Sequence, residues 1–350
     1  MTQVALLGYG RFGRALGSLL GEAGMGFRAL DPQGGVPEPH RAISLPELVT
    51  GAELVVVAVP VPQMGSVLQD LRPHLRPSQL VMDVGSVKMK PVEALTEVLG
   101  SQIPWVGTHP LFGPRSLAMA ERPLRVVLCP NPMHPDAAGR ARRFYERLGC
   151  EIIDQTPENH DRVMAYTHAL TFFVAKGMID AGAGLDVPFA PASFKALART
   201  IETVRSDAGH LFAAIQRENP FASEARSQLL KALGEIHEQL EHLPPEVSSR
   251  EARSMAIPAT ETGSTELAQY RARLDEIDRE MMGLLARRLQ LAQRAARAEA
   301  REGKGSEPAR EQALLEQRRG WGAELGLGKE AEVFFHTLLR LSRNSDGTDG

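Results

Sequence analysis

The chain has 350 residues, of which 43% are hydrophobic and 24% charged, with a formal net charge of −3 at pH 7. That length accommodates two or three domains, and the composition is that of a globular protein. The near balance of charge leaves no basic footprint for nucleic acid.

Met1-Thr2-Gln3 leads directly into a strand with no basic segment, so no secretory signal is expected. Val4-Ala5-Leu6-Leu7 is a short apolar run ended by glycine, the pattern of a buried parallel strand. Gly8-Tyr9-Gly10-Arg11-Phe12-Gly13 follows, then helical periodicity from Arg14 to Glu22. A G-x-G-x-x-G between a strand and a helix has a mechanism as a dinucleotide loop. Gly8 permits the tight turn, Gly10 lets backbone approach a pyrophosphate, and Gly13 lets helix and strand pack closely. Arg11 and Phe12 lie in the same loop, and the anion would sit on the helix N-terminus. A second strand, Gly26 to Asp31, ends in an acid that can accept from both ribose hydroxyls and repel a 2′-phosphate, which favours NAD over NADP. Asp31 also opens the turn Asp31-Pro32-Gln33-Gly34.

The alternation continues with strand Glu53–Pro60, helix Gln63–Leu71, strand Leu80–Val84, helix Pro91–Leu99 and strand Trp105–Gly107. Strands Arg125–Cys129 and Glu151–Asp154 flank a helix over Arg140–Leu148. This order predicts an α/β domain over residues 1–155 with a Rossmann-type parallel sheet. The longest apolar stretch, Leu54 to Pro62, is too short to span a bilayer, so no membrane association is expected. Cys129 and Cys150 lack metal-ligand spacing and suit a reducing compartment, hence a cytoplasmic protein with no bound metal. Two strand ends carry polar groups in apolar surroundings. Ser86 and Lys88 follow one strand, and His109, in Gly107-Thr108-His109-Pro110-Leu111-Phe112-Gly113-Pro114, follows the next. Ser86 alone could be a helix cap and His109 a core residue. A hydroxyl and an imidazole on adjacent strand ends, beside a nicotinamide, form a reacting pair.

Gly8–Gly13, Asp83–Lys88 and Gly107–Pro114 together resemble the prephenate dehydrogenase family of tyrosine biosynthesis. The resemblance continues through Asn159-His160-Asp161, Tyr166-Thr167-His168 and Phe194–Ile201 to about residue 240. It implies NAD-dependent oxidative decarboxylation of prephenate, with hydride leaving the carbinol carbon and the ring carboxylate departing as carbon dioxide. It assigns proton acceptance to His109, through Nε2 or Nδ1, because a neutral imidazole suits that task near pH 7. Ser86 then hydrogen-bonds the same hydroxyl or His109 and fixes the geometry. Arg199 holds the ring carboxylate by its planar fork, and His168 is a further substrate contact. Thr171 stands where the family often has a second basic residue, which leaves the other carboxylate to Lys195 or Arg205. His160 and Asp161 match a family pair, but at a helix start their local role is cap and dipole partner.

Residues 156–242 predict an all-helical substrate and dimerisation domain, with helices Val163–Gly182, Ser193–Arg205, Gly209–Gln216 and Ala222–Glu241. In the family this lobe forms a homodimer, and Phe172, Phe173 and Met178 are core or dimer contacts. Leu243–Thr265, rich in proline, serine and threonine, predicts a linker. Residues 266–346 predict a third, all-helical domain that begins with one long helix, Leu267–Arg301. Tyr270-Arg271, Leu274-Asp275, Arg287-Arg288, Ala309-Arg310-Glu311 and Ser342 resemble the all-helical chorismate mutases, which are intertwined dimers. The resemblance assigns carboxylate-binding and structural roles to Arg271, Arg288 and Arg310, a hydroxyl contact to Glu311 and a polar contact to Ser342. Glu299 and Asp346 fall where that family has its ether-oxygen lysine and glutamine. Two carboxylates facing a developing oxyanion have the wrong sign, so a weak or inactive mutase is expected. The alternatives are a fully bifunctional enzyme drawing on chorismate, an arogenate-preferring dehydrogenase, another NAD-dependent hydroxy acid dehydrogenase, and a non-enzymatic nucleotide sensor.

Overall fold

A computed structural model describes residues 3–183, 189–206, 209–242, 266–301 and 308–344. Among them, seven strands form one sheet: β1 (Val4–Leu7), β2 (Phe27–Leu30), β3 (Leu54–Val57), β4 (Leu80–Asp83), β5 (Trp105–Pro110), β6 (Leu124–Cys129) and β7 (Cys150–Asp154), in the order β2-β1-β3-β4-β5-β6-β7. β1, β3 and β4 are buried along their whole length, which explains their unbroken apolar sequences. Of the helices α1 (Arg11–Glu22), α2 (Leu45–Val49), α3 (Met64–Leu71) and α4 (Met89–Leu99), the last three pack on one face. There Leu48, Leu68, Leu71, Leu95 and Leu99 meet Ala5, Leu7, Val55, Val57 and Val81. Strand order reverses between β1 and β3, and in such sheets ligands bind outside the carboxyl ends beside that reversal.

Pairing is parallel from β2 through β5 and again between β6 and β7. β5 and β6 are antiparallel, with Gly107 opposite Cys129 and His109 opposite Val127. The sheet is thus the expected parallel, Rossmann-type one, with a single antiparallel pair among the described strands. The connecting helix α5 (Pro114–Ala118) has five residues and spans only about 8 Å. It is not the crossover helix that usually joins parallel strands, being far shorter than the six-residue strand, which is roughly 20 Å long. β5 also runs on to Pro110, so His109 lies inside the strand rather than just beyond it.

After α6 (Pro135–Arg147) and β7 the described chain is helical: α7 (Pro157–Met164), a π-turn over Ala165–Ala169, α8 (Leu170–Asp180), α9 (Ala192–Ser206), α10 (Gly209–Glu218) and α11 (Ala222–Glu241). Sequence periodicity merged the first three into one helix. Phe172 is core, buried with Ala169, Ile215 and Ala222. Three helices follow, Glu266–Arg301, Pro308–Glu324 and Gly328–Asn344. The chain divides into two compact units, residues 1–114 with 123–258 and residues 115–122 with 259–350. Within the second unit, Arg287 Nε donates to Met119 O (3.0 Å) and Arg294 Nη1 to Leu117 O (2.6 Å), which ties the 115–122 segment to the long helix. The expected linker, 243–265, lies outside the described residues. Among the described residues, no helix is long and apolar enough to cross a membrane.

Candidate active site

The glycine loop lies at the carboxyl end of β1, beside β3. Gly8 has φ +99°, and a Cβ there would stand 2.4 Å from Ala58 O; a Cβ on Gly13 would stand 2.3 Å from Gly8 O. Both glycines are therefore demanded by the protein's own backbone, one by the turn and one by helix–strand packing. Gly10 has nothing within 4 Å of such a Cβ, so it leaves a space that the chain itself does not fill. It is also the N-cap of α1 and contributes no side chain to the orphan amides of the first turn. Asp31 does two things at once: Oδ2 accepts from Tyr9 N (2.7 Å) and Oδ1 from Gln33 N (2.8 Å). It opens the turn, as its local sequence suggests, and also fastens the glycine loop to the end of β2. A carboxylate has about four acceptor sites, so it can still accept from a ribose. Arg11 is exposed. The Phe12 ring lies 6.1 Å from that of Phe112, linking the glycine loop to the stretch that follows β5.

Asp83, at the end of β4, organises the neighbouring end of β5. Its Oδ1 accepts from Thr108 N (3.0 Å) and its Oδ2 from Gly85 N (2.9 Å). Lys88 Nζ pairs with the same Oδ2, and both side chains are fully buried. His109 is 4% exposed, and its Nδ1 lies 2.8 Å from His160 Nε2. His160 Nδ1 lies 2.8 Å from Asp161 Oδ1. Asp161 in turn accepts Lys88 N on Oδ1 (2.6 Å) and Met89 N on Oδ2 (2.9 Å). A carboxylate from α7 thus caps α4, where the helix dipole favours negative charge. The cap of α7 itself is Thr156, whose Oγ1 accepts from Asn159 N (3.1 Å).

His160 and Asp161 therefore do not serve their own helix end. They are buried in the site, and the adjacent His-Asp pair is the one sequence signal that marked them. His168, carried by the π-turn, stacks on His109 at 6.4 Å between ring centroids. Burial, then the charges of His160, Lys88 and His168, push the His109 pKa well below its usual 6.5. Burial, then His160, pushes His168 down to about 4. Both rings are neutral at pH 7. Among the described residues no cluster of His, Cys, Asp or Glu could hold a metal ion.

The other expected residues are placed as follows. Ser86 is half-buried in the loop between β4 and α4. Lys195 and Arg199 are exposed one turn apart on α9, and the Arg205 side chain lies outside the described residues. Thr171 Oγ1 donates to Thr167 O (2.7 Å). In the C-terminal unit, Arg288 Nη1 donates to Ser342 Oγ (2.7 Å) and Leu338 O (3.2 Å), which brings two expected residues together. Arg271 is exposed on the same helix as Arg288, about 25 Å away along its axis, so one copy of that helix does not bring them together. Glu299 is half-buried. Asp346 and the side chains of Arg310 and Glu311 lie outside the described residues.

Residues 41–154 match the family model described as prephenate dehydrogenase, nucleotide-binding domain, and residues 270–346 match chorismate mutase type II. A "Probable arogenate/prephenate dehydrogenase" of Methanocaldococcus jannaschii is 28% identical over 200 residues, covering 55% of this chain and 44% of the relative. A cyclohexadienyl dehydrogenase of Zymomonas mobilis is 30% identical over 166 residues, covering 43% and 56%. The matched part of this chain thus spans about half the length of these relatives. The crystal structure of prephenate dehydrogenase from A. aeolicus in complex with hydroxyphenyl propionate and NAD+ shares the fold, with a TM-score of 0.57 at 21% identity, covering 80% of this chain and 98% of that one. Residues 41–154 are thus similar to the nucleotide-binding domain of prephenate dehydrogenases, and residues 270–346 to chorismate mutase type II.

Proposed function

We propose that this chain is an NAD-dependent prephenate dehydrogenase that converts prephenate to 4-hydroxyphenylpyruvate in tyrosine biosynthesis. The observation that carries the proposal is His109: a buried imidazole, held neutral at pH 7, at the carboxyl end of a strand and linked through Phe112 and Phe12 to the glycine loop. The glycine loop fits a dinucleotide, because Gly8 and Gly13 are closed off by the protein's own atoms whereas Gly10 is open. NAD, when bound, supplies the hydride acceptor. Gly10 and the first-turn amides, with Arg11 and Phe12, would hold its pyrophosphate, and Asp31 its ribose hydroxyls. His109 accepts the proton of the ring hydroxyl as that carbon loses hydride, since a serine is far too weak a base. Ser86 orients the hydroxyl. Arg199 grips the ring carboxylate, and His168 with Lys195 meets the rest of the substrate.

Arogenate is the second reading. Thr171, tied to the helix backbone, leaves the side-chain end of the substrate without the second cation expected there. NADH formation with each substrate, alongside chromatographic detection of product, tests both readings. One NADH and one 4-hydroxyphenylpyruvate per prephenate is the expected result. Faster turnover on arogenate would move the substrate assignment, and no NADH with either would overturn the proposal.

The working form we propose is a homodimer. Arg271 lies too far along its helix to join Arg288 within one copy. The same helix exposes Leu267, Tyr270, Leu274, Ile277 and Met281, an apolar row suited to a partner helix. For the mutase-like domain we propose weak or no turnover. Arg288 and Ser342 are paired as a bifunctional enzyme would need them, yet Glu299 and Asp346 put carboxylates where donors to an ether oxygen belong.

A further inference from the structure

We infer that Asp161 and His160 are positioning residues that fix His109 with its proton on Nδ1, leaving Nε2 as the atom that takes the substrate proton. The identity of that proton rests on the dehydrogenase reading; the tautomer does not. An ionised carboxylate can only accept hydrogen bonds. Asp161 already accepts two backbone amides, from Lys88 and Met89, at the start of α4. His160 Nδ1, 2.8 Å from Asp161 Oδ1, must therefore be the donor. Taken as neutral, His160 carries its one N–H on Nδ1 and presents Nε2 as a bare lone pair. That lone pair lies 2.8 Å from His109 Nδ1, which must donate to it. His109, neutral in its turn, is left with a bare Nε2.

The unit is held from several sides. Asn219, between α10 and α11, donates its Nδ2 to Asp161 O (2.7 Å). Lys88, whose side chain reaches Asp83 and Thr108 O, sets the position of its own amide against Asp161. The charged and titratable groups around His109 are thus Lys88 and Asp83 from the β4 end, His160 and Asp161 from α7, and His168 from the π-turn. When Nε2 takes a proton, the O–H bond of the substrate breaks and Nε2–H forms. The cation then donates through Nδ1 to His160, with Asp161 as its counter-charge, an arrangement that a protein dipole alone would not supply. Were His160 absent, Nε2 could carry the ring proton instead, and a protonated Nε2 is no base.

The test combines two readouts. Nitrogen-15 NMR of histidine-labelled full-length protein, free of ligands, reports which ring nitrogen carries hydrogen, with His109→Gln supplying the assignment. The expected wild-type state is Nδ1–H with unprotonated Nε2, and His160→Phe is expected to lose it. Turnover of prephenate with saturating NAD is expected to fall at least tenfold in His160→Phe, towards the roughly 10²–10⁴-fold worth of a general base, with NAD affinity unchanged. His160→Gln, whose amide can donate to Asp161 and accept from His109, is expected to recover most of it. A wild-type His109 protonated on Nε2 overturns the inference. So does a His160→Phe protein with unchanged tautomer and turnover. If the tautomer is as inferred but neither prephenate nor arogenate is oxidised, the dehydrogenase reading fails and the positioning role stands.

Discussion

Acidification should unfold the first unit through His168, and the size of the effect follows from its surroundings. Burial, then the charge of His160, lowers this imidazole from 6.5 to about 4. The unfolded chain therefore takes up a proton near pH 6.5 that the native chain refuses until near pH 4. Stability rises with pH wherever the unfolded state binds more protons. The penalty is thus absent at pH 7, grows as pH falls through 6.5, and is complete by about pH 4. At about 1.4 kcal/mol per unit, His168 alone costs roughly 2 kcal/mol between pH 7 and 5, and about 3 kcal/mol by pH 4.

His109, displaced in the same direction, adds to the loss. The assay is urea unfolding followed by fluorescence in a Trp321→Phe background, so that Trp105, buried on β5, is the single reporter. His168→Gln has no proton to gain, and its loss of stability from pH 7 to 5 should be smaller than that of the parent by about 2 kcal/mol. Equal losses in the two proteins would refute the reasoning, because they would mean that His168 titrates alike folded and unfolded.

Further predictions concern the glycine loop, the buried ion pair and the C-terminal domain. Gly8→Ala places a Cβ 2.4 Å from Ala58 O at φ +99° and should destabilise the domain by at least the roughly 1–3 kcal/mol typical of backbone strain alone. Gly10→Ala meets nothing within 4 Å and should hold its stability to within about 0.5 kcal/mol while NAD binding weakens; thermal melts and NAD titration separate the two. Lys88→Met leaves Asp83 charged and buried, at a cost of about 3–5 kcal/mol. The double variant Asp83→Asn/Lys88→Met should then lose measurably less than the sum of the single changes. Glu299→Lys should raise chorismate mutase turnover on the order of a hundredfold or more. Wild-type turnover already comparable with the dehydrogenase step would contradict the weak-mutase reading.

The sheet was legible in the sequence because its central strands are buried on both faces, so Val4–Leu7, Leu54–Val57 and Leu80–Met82 read as apolar runs whatever surrounds them. The glycine loop was legible because two of its glycines answer to backbone contacts within a few residues or one strand away. The direction of β6 was not, since it depends on the path the connection takes rather than on the strand's own residues. The π-turn under His168 was not legible either, as periodicity cannot distinguish one inserted residue within a continuous helical run.

His160 and Asp161 show the same limit at the site. Residues at the start of one helix normally satisfy that helix. Here Asp161 instead caps a helix more than seventy residues earlier in the chain, and only the tertiary fold brings Lys88 N to within 2.6 Å of it.

The most direct test of the central claim is prephenate-dependent NADH formation by His109→Asn, compared with the parent at saturating prephenate and NAD. Removing a general base that contributes roughly 10²–10⁴-fold should lower kcat by that order while NAD still binds. An unchanged kcat would contradict His109 as the proton acceptor.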